Sequence, residues 1–332
     1  MNTKRSKRAP APSSRETRPF HALPVATTAA EMAAYREALR YLRWPEVTGV
    51  ALGEPVRGGR ILSRERAVCI HVRHKLLPRD VSVNRRLPRR IGGILVDVVE
   101  RTHRARSLPF EHLIAAKLVP SLTLRPGVEV STDGGDAGSL GMVVRDRVNG
   151  RSCLLSAAHV LAAGTGTAVL QPGWRHSGSP VGKVLRSVWS EIGDAAIAEL
   201  DGTRAADNTL LGSDLRITSV RHVVEQEQLV KAGATTGLTR AVVSQVGCFE
   251  IDYGSRGSIR MQAFELRPVD PTSTAEISDA GDSGSIWVDP RSGQAIGLTV
   301  AGDRGGPYNP DEWALACHLD SVFAELGIEA LP

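Results

Sequence analysis

The sequence predicts a mostly β protein in which a small α+β module precedes a larger all-β domain. From about residue 122 onward, short apolar runs are separated by Gly, Pro, Asp and Asn, a pattern typical of strands joined by frequent turns. Charge divides the chain in a similar place, because residues 1–108 hold 23 of the 41 Lys and Arg but 9 of the 36 Asp and Glu. A length of 332 residues favours two domains, and an apolar content of 42% suffices for a substantial core.

The basic front part contains a tail, a helix and three strands in our prediction. Residues 1–25 are rich in Lys, Arg, Pro, Ser and Ala and are expected to be disordered. Apolar residues recur at helical spacing over residues 28–44, and Pro45 ends the predicted helix. Strand-like segments follow at 47–52, 67–72 and 94–99. We therefore expect an α+β module over residues 26–108, a linker over 109–122 and the all-β domain over 123–332.

The all-β domain ends in one predicted helix. Its apolar runs include residues 140–144, 168–170, 223–230, 241–246 and 295–300, which are expected to be strands. Residues 319–326 are predicted to form a short helix that packs back on the domain.

A glycine-rich turn is the first candidate for chemistry. Residues 281–285 read Gly-Asp-Ser-Gly-Ser and precede the apolar segment 286–288. Gly281 and Gly284 allow the backbone to turn where a side chain could not follow. Such a turn directs the hydroxyl of Ser283 outward and aims backbone N–H groups at the place where an oxyanion would form. The same residue types also build ordinary turns, so a nucleophile is indicated only if the chain supplies a base.

His159 and Asp194 can supply the base and the group that orients it. His159 follows the apolar run 153–155 and two alanines, and an imidazole has a pKa suited to activating a serine hydroxyl near neutral pH. Asp194 begins another apolar segment, where a buried carboxylate could hold the imidazole tautomer. Three other aspartates compete for this role in the sequence: Asp201, Asp207 and Asp214.

These segments resemble the trypsin-like (chymotrypsin-fold) serine peptidases over residues 123–332. Residues 156–159 are similar to the family's Thr-Ala-Ala-His, 194–197 to its Asp-Ile-Ala-Leu, and 281–285 to its Gly-Asp-Ser-Gly-Gly. Residues 231–239 resemble the Gly-x-Thr-Thr-Gly segment of bacterial members, and 297–302 are placed like the strand that lines the substrate cleft. The phrase at 154–161 is closest to bacterial peptidases and to plant narrow-leaf-type proteins.

The resemblance implies two six-stranded β-barrels with the site in the cleft between them. Ser283 would be the nucleophile of a serine endopeptidase, His159 the general acid and base, and Asp194 its orienter. The N–H groups of Gly281 and Ser283 would form the oxyanion hole. No metal or organic cofactor is needed for this chemistry, and the partner would be a protein or peptide substrate. No metal site is expected, because the nine histidines are dispersed and no two cysteines stand two apart.

The same resemblance assigns a substrate pocket. Its residues would be Ile277, Val300, Ala301 and Gly302. Ile277 occupies the position at which trypsin has an acidic residue that attracts Lys or Arg. We therefore expect an uncharged, apolar or small residue before the cleaved bond.

Activation by a freed N-terminus is not expected. Residues 90–93, Arg-Ile-Gly-Gly, imitate the activation site of animal zymogens but lie far ahead of His159 and lead into a predicted strand. They are interpreted as a turn. Asp282 is then expected to be satisfied by an internal arginine or by backbone donors.

Cysteine usage and the termini favour a reduced, cytoplasmic protein. The four cysteines are isolated on apolar segments, as is typical of buried thiols. The first 24 residues lack the apolar core of a signal peptide, and no apolar run approaches the length of a membrane span. A membrane partner is therefore not expected.

The sequence allows more than one role for the N-terminal module and for the whole chain. The module could be a regulator or pro-region that docks on the acidic peptidase domain through its positive charge. It could also bind nucleic acid or another acidic partner, or be a solvated basic face without a ligand. The absence of an accompanying aromatic surface makes nucleic acid the less favoured partner. The groups that would bind an acidic partner are Arg85, Arg86, Arg89 and Arg90 together with the basic tail. For the whole chain, the alternative is a catalytically silent peptidase fold that acts as a binding or scaffold protein.

Overall fold

The computed structural model describes residues 27–57, 60–61, 65–105, 121–133, 135–161, 164–173, 177–270, 272–273, 275–303 and 312–331. The predicted disordered tail, and all but the last two residues of the predicted linker, lie outside them. The described residues form a mostly β structure with two large sheets, as predicted.

Within these residues there are two α-helices, α1 (Ala29–Ala38) and α2 (Leu319–Leu326), and 24 strands. The strands of the N-terminal part are β1 (Val47–Gly53), β2 (Val56–Arg57), β3 (Arg60–Ile61), β4 (Ala67–Val72), β5 (Arg90–Ile91), β6 (Ile94–Glu100) and β7 (His103–Arg104). The next group is β8 (Thr123–Leu124), β9 (Glu129–Thr132), β10 (Gly138–Ser139), β11 (Met142–Asp146), β12 (Ser152–Ser156), β13 (Ala168–Gln171), β14 (Ser179–Ser190), β15 (Gly193–Leu200) and β16 (Ala205–Ala206). The last group is β17 (Ser219–Val220), β18 (Gln228–Gly233), β19 (Gly237–Asp252), β20 (Ser258–Pro268), β21 (Ile286–Val288), β22 (Gln294–Gly302), β23 (Ala314–His318) and β24 (Ile328–Ala330).

The second half of the β domain contains a closed six-stranded barrel. β18 pairs with both β21 and β19, and the ring continues through β22, β23 and β20 back to β19. Phe264, Trp287 and Ile296 are fully buried in one of its cores. Since the closure follows from the pairings themselves, the six-stranded barrel predicted for this half is confirmed.

The first half forms a separate eight-stranded sheet among the described residues. Its order is β10-β9-β13-β14-β15-β12-β11-β24. β9 and β11–β15 are the six strands expected of the first barrel, whereas β10 is a two-residue addition and β24 returns from the end of the chain. The described pairings form an open path rather than a ring.

The N-terminal module continues the second sheet. β1 pairs antiparallel with β19, with Gly49 opposite Phe249 and Gly53 opposite Gln245. β4, β6 and β5 follow outward from β1 in that order. Helix α1 covers this extension, and the core beneath it includes Tyr35 of the helix and Cys248 of β19. The module and the barrel therefore share one strand.

Charge complementarity accompanies this shared sheet. Four arginines of the module pair with acidic residues of the barrel half, and Arg101 and Glu265 are both buried. The pairs are Arg66 with Glu225, Arg73 with Glu250, Arg101 with Glu265, and Arg104 with Asp252. The basic front part thus contacts the acidic remainder through specific ion pairs.

Local expectations for the module agree with the structure. Thr28 caps α1 through a reciprocal hydrogen-bonded box with Glu31, and a 3₁₀ turn at Leu39–Arg43 completes the predicted helical segment before Pro45. Within residues 90–93, Gly92 and Gly93 form the tight turn between β5 and β6, both at positive φ. The interpretation of this segment as a turn is confirmed.

All four cysteines, Cys69, Cys153, Cys248 and Cys317, are buried free thiols, as expected. Burial raises the pKa of Cys153 to about 11 and that of Cys317 to about 12, so both remain protonated. None of the helices in the described part of the chain combines the length and apolarity needed to cross a membrane.

Candidate active site

Two backbone N–H groups of the turn at residues 281–285 find no acceptor in the described part of the chain. Gly281 and Gly284 have φ of 95° and 90°, values that other residues rarely adopt. The N–H of Asp282 donates to Asp279 O, that of Gly284 to Thr299 O, and that of Ser285 to Asp282 O, each at 2.9 Å. Among the described residues, the N–H groups of Gly281 and Ser283 have no acceptor. Two donors on either side of one residue are what an oxyanion site requires.

Asp282 is held by a buried lysine, and the internal arginine expected from the sequence is not its partner. Lys231 Nζ lies 2.9 Å from Asp282 Oδ2, and both side chains are completely buried. Thr236 Oγ1 donates to Oδ2 (2.6 Å), and the Thr235 N–H donates to Oδ1 (3.0 Å). Burial alone would raise the pKa of Asp282, but the charge of Lys231 and these hydrogen bonds outweigh it and lower the pKa. The backbone donors that were expected are present.

His159 and Asp194 lie together in the first sheet. Asp194, at the start of β15, is fully buried and accepts from the His159 N–H at its Oδ1 (2.9 Å). Its Oδ2 bonds to His159 Nδ1. Among the described residues, Nε2 of His159 has no hydrogen-bond partner. Since Nδ1 faces a carboxylate, it carries the proton, and Nε2 is left as an acceptor.

The competing aspartates are engaged elsewhere. Asp201 is exposed and accepts from Thr203, and Asp207 pairs with Arg125. Asp214 is exposed on a loop. Asp194 is therefore the aspartate that the fold brings to His159.

Two glycines bring the histidine segment against the serine turn. A Cβ at Gly284 would collide with Ser156 Oγ and lie 2.8 Å from Ala157 N, on the strand end that leads to His159. A Cβ at Gly138 would collide with Val160 and lie 2.8 Å from Ser283 O. Glycine at both positions permits this close approach of the two halves of the β domain.

Ser139 connects these segments and was missed by the sequence analysis. Its N–H donates to Ser283 O (2.8 Å) and its hydroxyl to Gly281 O (2.9 Å). The hydroxyl also accepts from Ala234 N, and Ser156 donates to the Ser139 carbonyl. Nothing in its local sequence indicates this role, because its partners come from distant parts of the chain.

The predicted pocket residues lie near the serine turn, and a buried carboxylate was missed beside them. Ile277 is buried, and its N–H donates to Glu312 Oε1 (2.9 Å). Val300 and Ala301 are buried on β22, which ends at Gly302. A cleft of about 250 Å³ lies beside His159, but it is lined by Asp136 and by residues 104–105 and 252–256 rather than by the four predicted pocket residues. Glu312 gave no signal in the sequence analysis, because the backbone groups that it binds lie 35 and 34 residues earlier in the chain.

Three solved protease structures are similar in fold to part of this chain. No protein-family model matches the chain. No curated protein matches it either. Protease A of Thermobifida fusca is 18% identical, with a TM-score of 0.48 over 63% of this chain and 100% of that one, and the Nocardiopsis protease gives the same values. A glutamic acid-specific serine protease is 20% identical, with a TM-score of 0.49 over 62% of this chain and 100% of that one. The interpretation of the site therefore rests on its own contacts.

Proposed function

We propose that the protein is a serine endopeptidase with Ser283 as nucleophile, His159 as general acid and base, and Asp194 as the orienting carboxylate. The observation that carries the proposal is the pair of N–H groups at Gly281 and Ser283, which have no acceptor within the residues that the structure describes. These N–H groups belong to the turn that packs against the segment containing His159. His159 is itself hydrogen-bonded to the buried Asp194. The alternative, a silent scaffold, gives no reason for donors without acceptors beside a serine.

The proposed reaction is acyl transfer in two steps, and it requires Ser283 Oγ to come within hydrogen-bond reach of His159 Nε2, which has no partner among the described residues. His159 Nε2 takes the proton of Ser283 Oγ as the oxygen attacks the peptide carbonyl, and the charge of Asp194 stabilises the resulting imidazolium. The N–H groups of Gly281 and Ser283 bind the carbonyl oxygen as it becomes negative. The imidazolium then protonates the leaving amine, and the acyl-enzyme is hydrolysed by water that gives its proton to His159.

Ser283→Ala is expected to abolish both cleavage of a peptide library and labelling by a fluorophosphonate probe, because the nucleophilic oxygen is absent. Ser285→Ala is the control: its hydroxyl bonds to Thr299 (2.9 Å), and its loss is expected to preserve labelling. A wild-type protein that is not labelled would instead favour the scaffold. In the same library, a cleavage profile dominated by Arg or Lys would contradict the uncharged preference inferred from Ile277.

We further infer that the N-terminal module regulates access to this site. β22 pairs along one edge with β23. Its other edge bonds to β21 and, at Thr299, to the serine turn. On that same second edge Arg104 of β7 lies antiparallel to Gly302. An extended peptide adds to a strand edge through backbone hydrogen bonds. A peptide substrate that pairs with this edge of β22 beside Ser283 would therefore compete with β7 for the position opposite Gly302.

Several contacts hold this segment against the barrel. Arg104 Nε lies 2.9 Å from Asp252 Oδ2, and the Ala105 N–H donates to Asp252 O (3.0 Å). His103 is buried and stacks on His71, with Nε2 of His103 3.1 Å from Nδ1 of His71. Burial lowers the pKa of His71 to about 4, so this ring is neutral at physiological pH. Displacing β7 would cost these contacts, which supports a restraining role.

Arg104→Pro is expected to raise hydrolysis of an extended peptide severalfold, because proline removes the backbone N–H and disfavours pairing with Gly302. Labelling of Ser283 by a small fluorophosphonate should not change, since it requires no strand pairing. Arg104→Ala keeps the backbone and serves as the matched control, with a smaller effect. An unchanged peptide rate in Arg104→Pro, with its thermal unfolding and labelling intact, rules out the restraint.

A further inference from the structure

The tip of the hairpin between β19 and β20 reaches from the second sheet to His159. The tip is residues 253–257, in which the Tyr253 N–H donates to Gly257 O (2.9 Å) and the Gly254 N–H to Asp252 Oδ1 (2.8 Å). Gly254 and Gly257 have φ of 65° and 85°, which favour glycine. The tip is a hydrogen-bonded turn that can hold another part of the protein in place.

Two side chains of the tip contact His159. Arg256 Nη1 donates to the His159 carbonyl (3.0 Å), and the ring centroid of Tyr253 lies 5.7 Å from that of the imidazole. Both side chains also pack on Trp189, with the guanidinium carbon 5.4 Å and the Tyr253 ring 5.0 Å from its centroid. Trp189 lies opposite Asp194 in the pairing of β14 with β15. We call Tyr253, Arg256 and Trp189 the hairpin clamp.

His159 depends on such contacts because it lies in a turn after β12. The N–H groups of Val160 and Leu161 donate to Ala157 O (3.2 Å each), and Asp194 holds the N–H and Nδ1 of His159. Among the described residues, Arg256 is the donor to the His159 carbonyl. The hairpin of the second sheet therefore fixes the peptide bond between His159 and Val160, through the carbonyl group of His159.

The ring of Tyr253 packs beside the imidazole of His159 and restricts its movement. It is buried, and burial together with the nearby charge of Asp194 raises its pKa well above the usual value, so its hydroxyl stays protonated. Tyr253, Arg256 and His159 line the same cleft of about 250 Å³. A displacement of the hairpin would therefore change the orientation of the imidazole.

We propose that the hairpin clamp positions His159 for catalysis, with Arg256 as a positioning residue that acts through the histidine. The proposal rests on the proposed peptidase function and adds to it residues from outside the three catalytic groups. An imidazole must meet the serine hydroxyl within hydrogen-bond reach, and a misplacement of about 1 Å can cost about 100-fold in rate. Binding of a peptide along β22 does not involve this contact, so affinity should be spared.

The test compares three arginine variants by steady-state hydrolysis and by the rate of fluorophosphonate labelling. Arg256→Ala is expected to lower kcat and the labelling rate at least about tenfold, the equivalent of one lost hydrogen bond, with KM nearly unchanged. Arg256→Lys is expected to recover part of the loss, because an ammonium group can still donate to the carbonyl. Arg260→Ala, an exposed arginine on the same hairpin that pairs with Glu250, should leave both rates unchanged.

The outcomes separate this inference from the function on which it rests. A wild-type protein that neither hydrolyses peptides nor is labelled overturns both. Wild-type labelling at Ser283 with an equal kcat in Arg256→Ala overturns the positioning role alone. A raised KM at unchanged kcat does so too, because it would indicate a contact with substrate. If Arg256→Ala fails to fold, Arg256→Met removes the same donor while keeping most of the side-chain length, and the same loss of kcat is expected.

Discussion

Replacing Asp194 with Asn is expected to lower kcat about 10⁴-fold while leaving the fold intact. Both carboxylate oxygens accept from His159, one from its N–H and the other from Nδ1. An amide offers one acceptor and one donor. If its NH₂ faces Nδ1, the imidazole proton moves to Nε2, which then cannot take the proton of Ser283. If it faces the backbone, two N–H groups oppose each other in a buried site.

The measurement is steady-state hydrolysis of a peptide amide, with circular dichroism as the check on folding. Asp201→Asn is the matched control, because Asp201 is exposed and bonds locally to Thr203. It should retain wild-type activity. A loss of less than tenfold in Asp194→Asn, or an equal loss in both variants, would remove Asp194 from the proposed mechanism.

Replacing Lys231 with Met is expected to cost about 3–5 kcal/mol of unfolding free energy, because it leaves the charge of Asp282 buried and unpaired. The lysine ammonium also contacts Thr236 (2.8 Å) and lies 5.5 Å from the centroid of the Trp287 ring. Asp282 immediately precedes Ser283, the proposed nucleophile, so the variant should lose activity as well. This cost is comparable to the whole stability of a marginal domain.

Urea unfolding at several pH values measures the loss of unfolding free energy in Lys231→Met and shows how that loss depends on pH. The lowered pKa of Asp282 contributes stability above its unfolded value of 3.8 and loses it as the pH falls through the folded value. That acid dependence should weaken in Lys231→Met, whereas Lys231→Met with Asp282→Asn should recover part of the stability. Arg145→Met, which breaks an exposed pair with Glu329, should cost less than about 1 kcal/mol. Equal losses in the two single variants would refute a special role for Lys231.

Local pattern was enough to predict much of the fold. The apolar face of residues 319–326 predicted α2 at its observed bounds, and residues 67–72 predicted β4. The flanks of His159 and Asp194 indicated two groups that the structure places in hydrogen-bond contact, whereas the part of Ser283 stays a prediction. In each case the signal lies within a few residues of the feature, where periodicity and turn chemistry act.

Contacts between distant segments were not predictable in this way. The pairing of β1 with β19 joins Gly49 to Phe249, and no local periodicity encodes the choice of partner. The same reason applies to Ser139. A lysine between Val230 and Ala232 on an apolar strand indicates that its charge needs a buried partner. The sequence could not identify that partner as Asp282, which lies 51 residues further along the chain.

The shared strand β19 has a consequence for the integrity of the protein. If the N-terminal part were cut away, the stretch of β19 from Gln245 to Phe249 would lose its antiparallel neighbour β1. Cys248, which belongs to the core beneath α1, would become accessible to oxidants. An unpaired, largely uncharged strand edge is a template for joining other chains. β1 thus covers an edge of β19 that would otherwise be open to self-association, and removal of the N-terminal part would expose that edge.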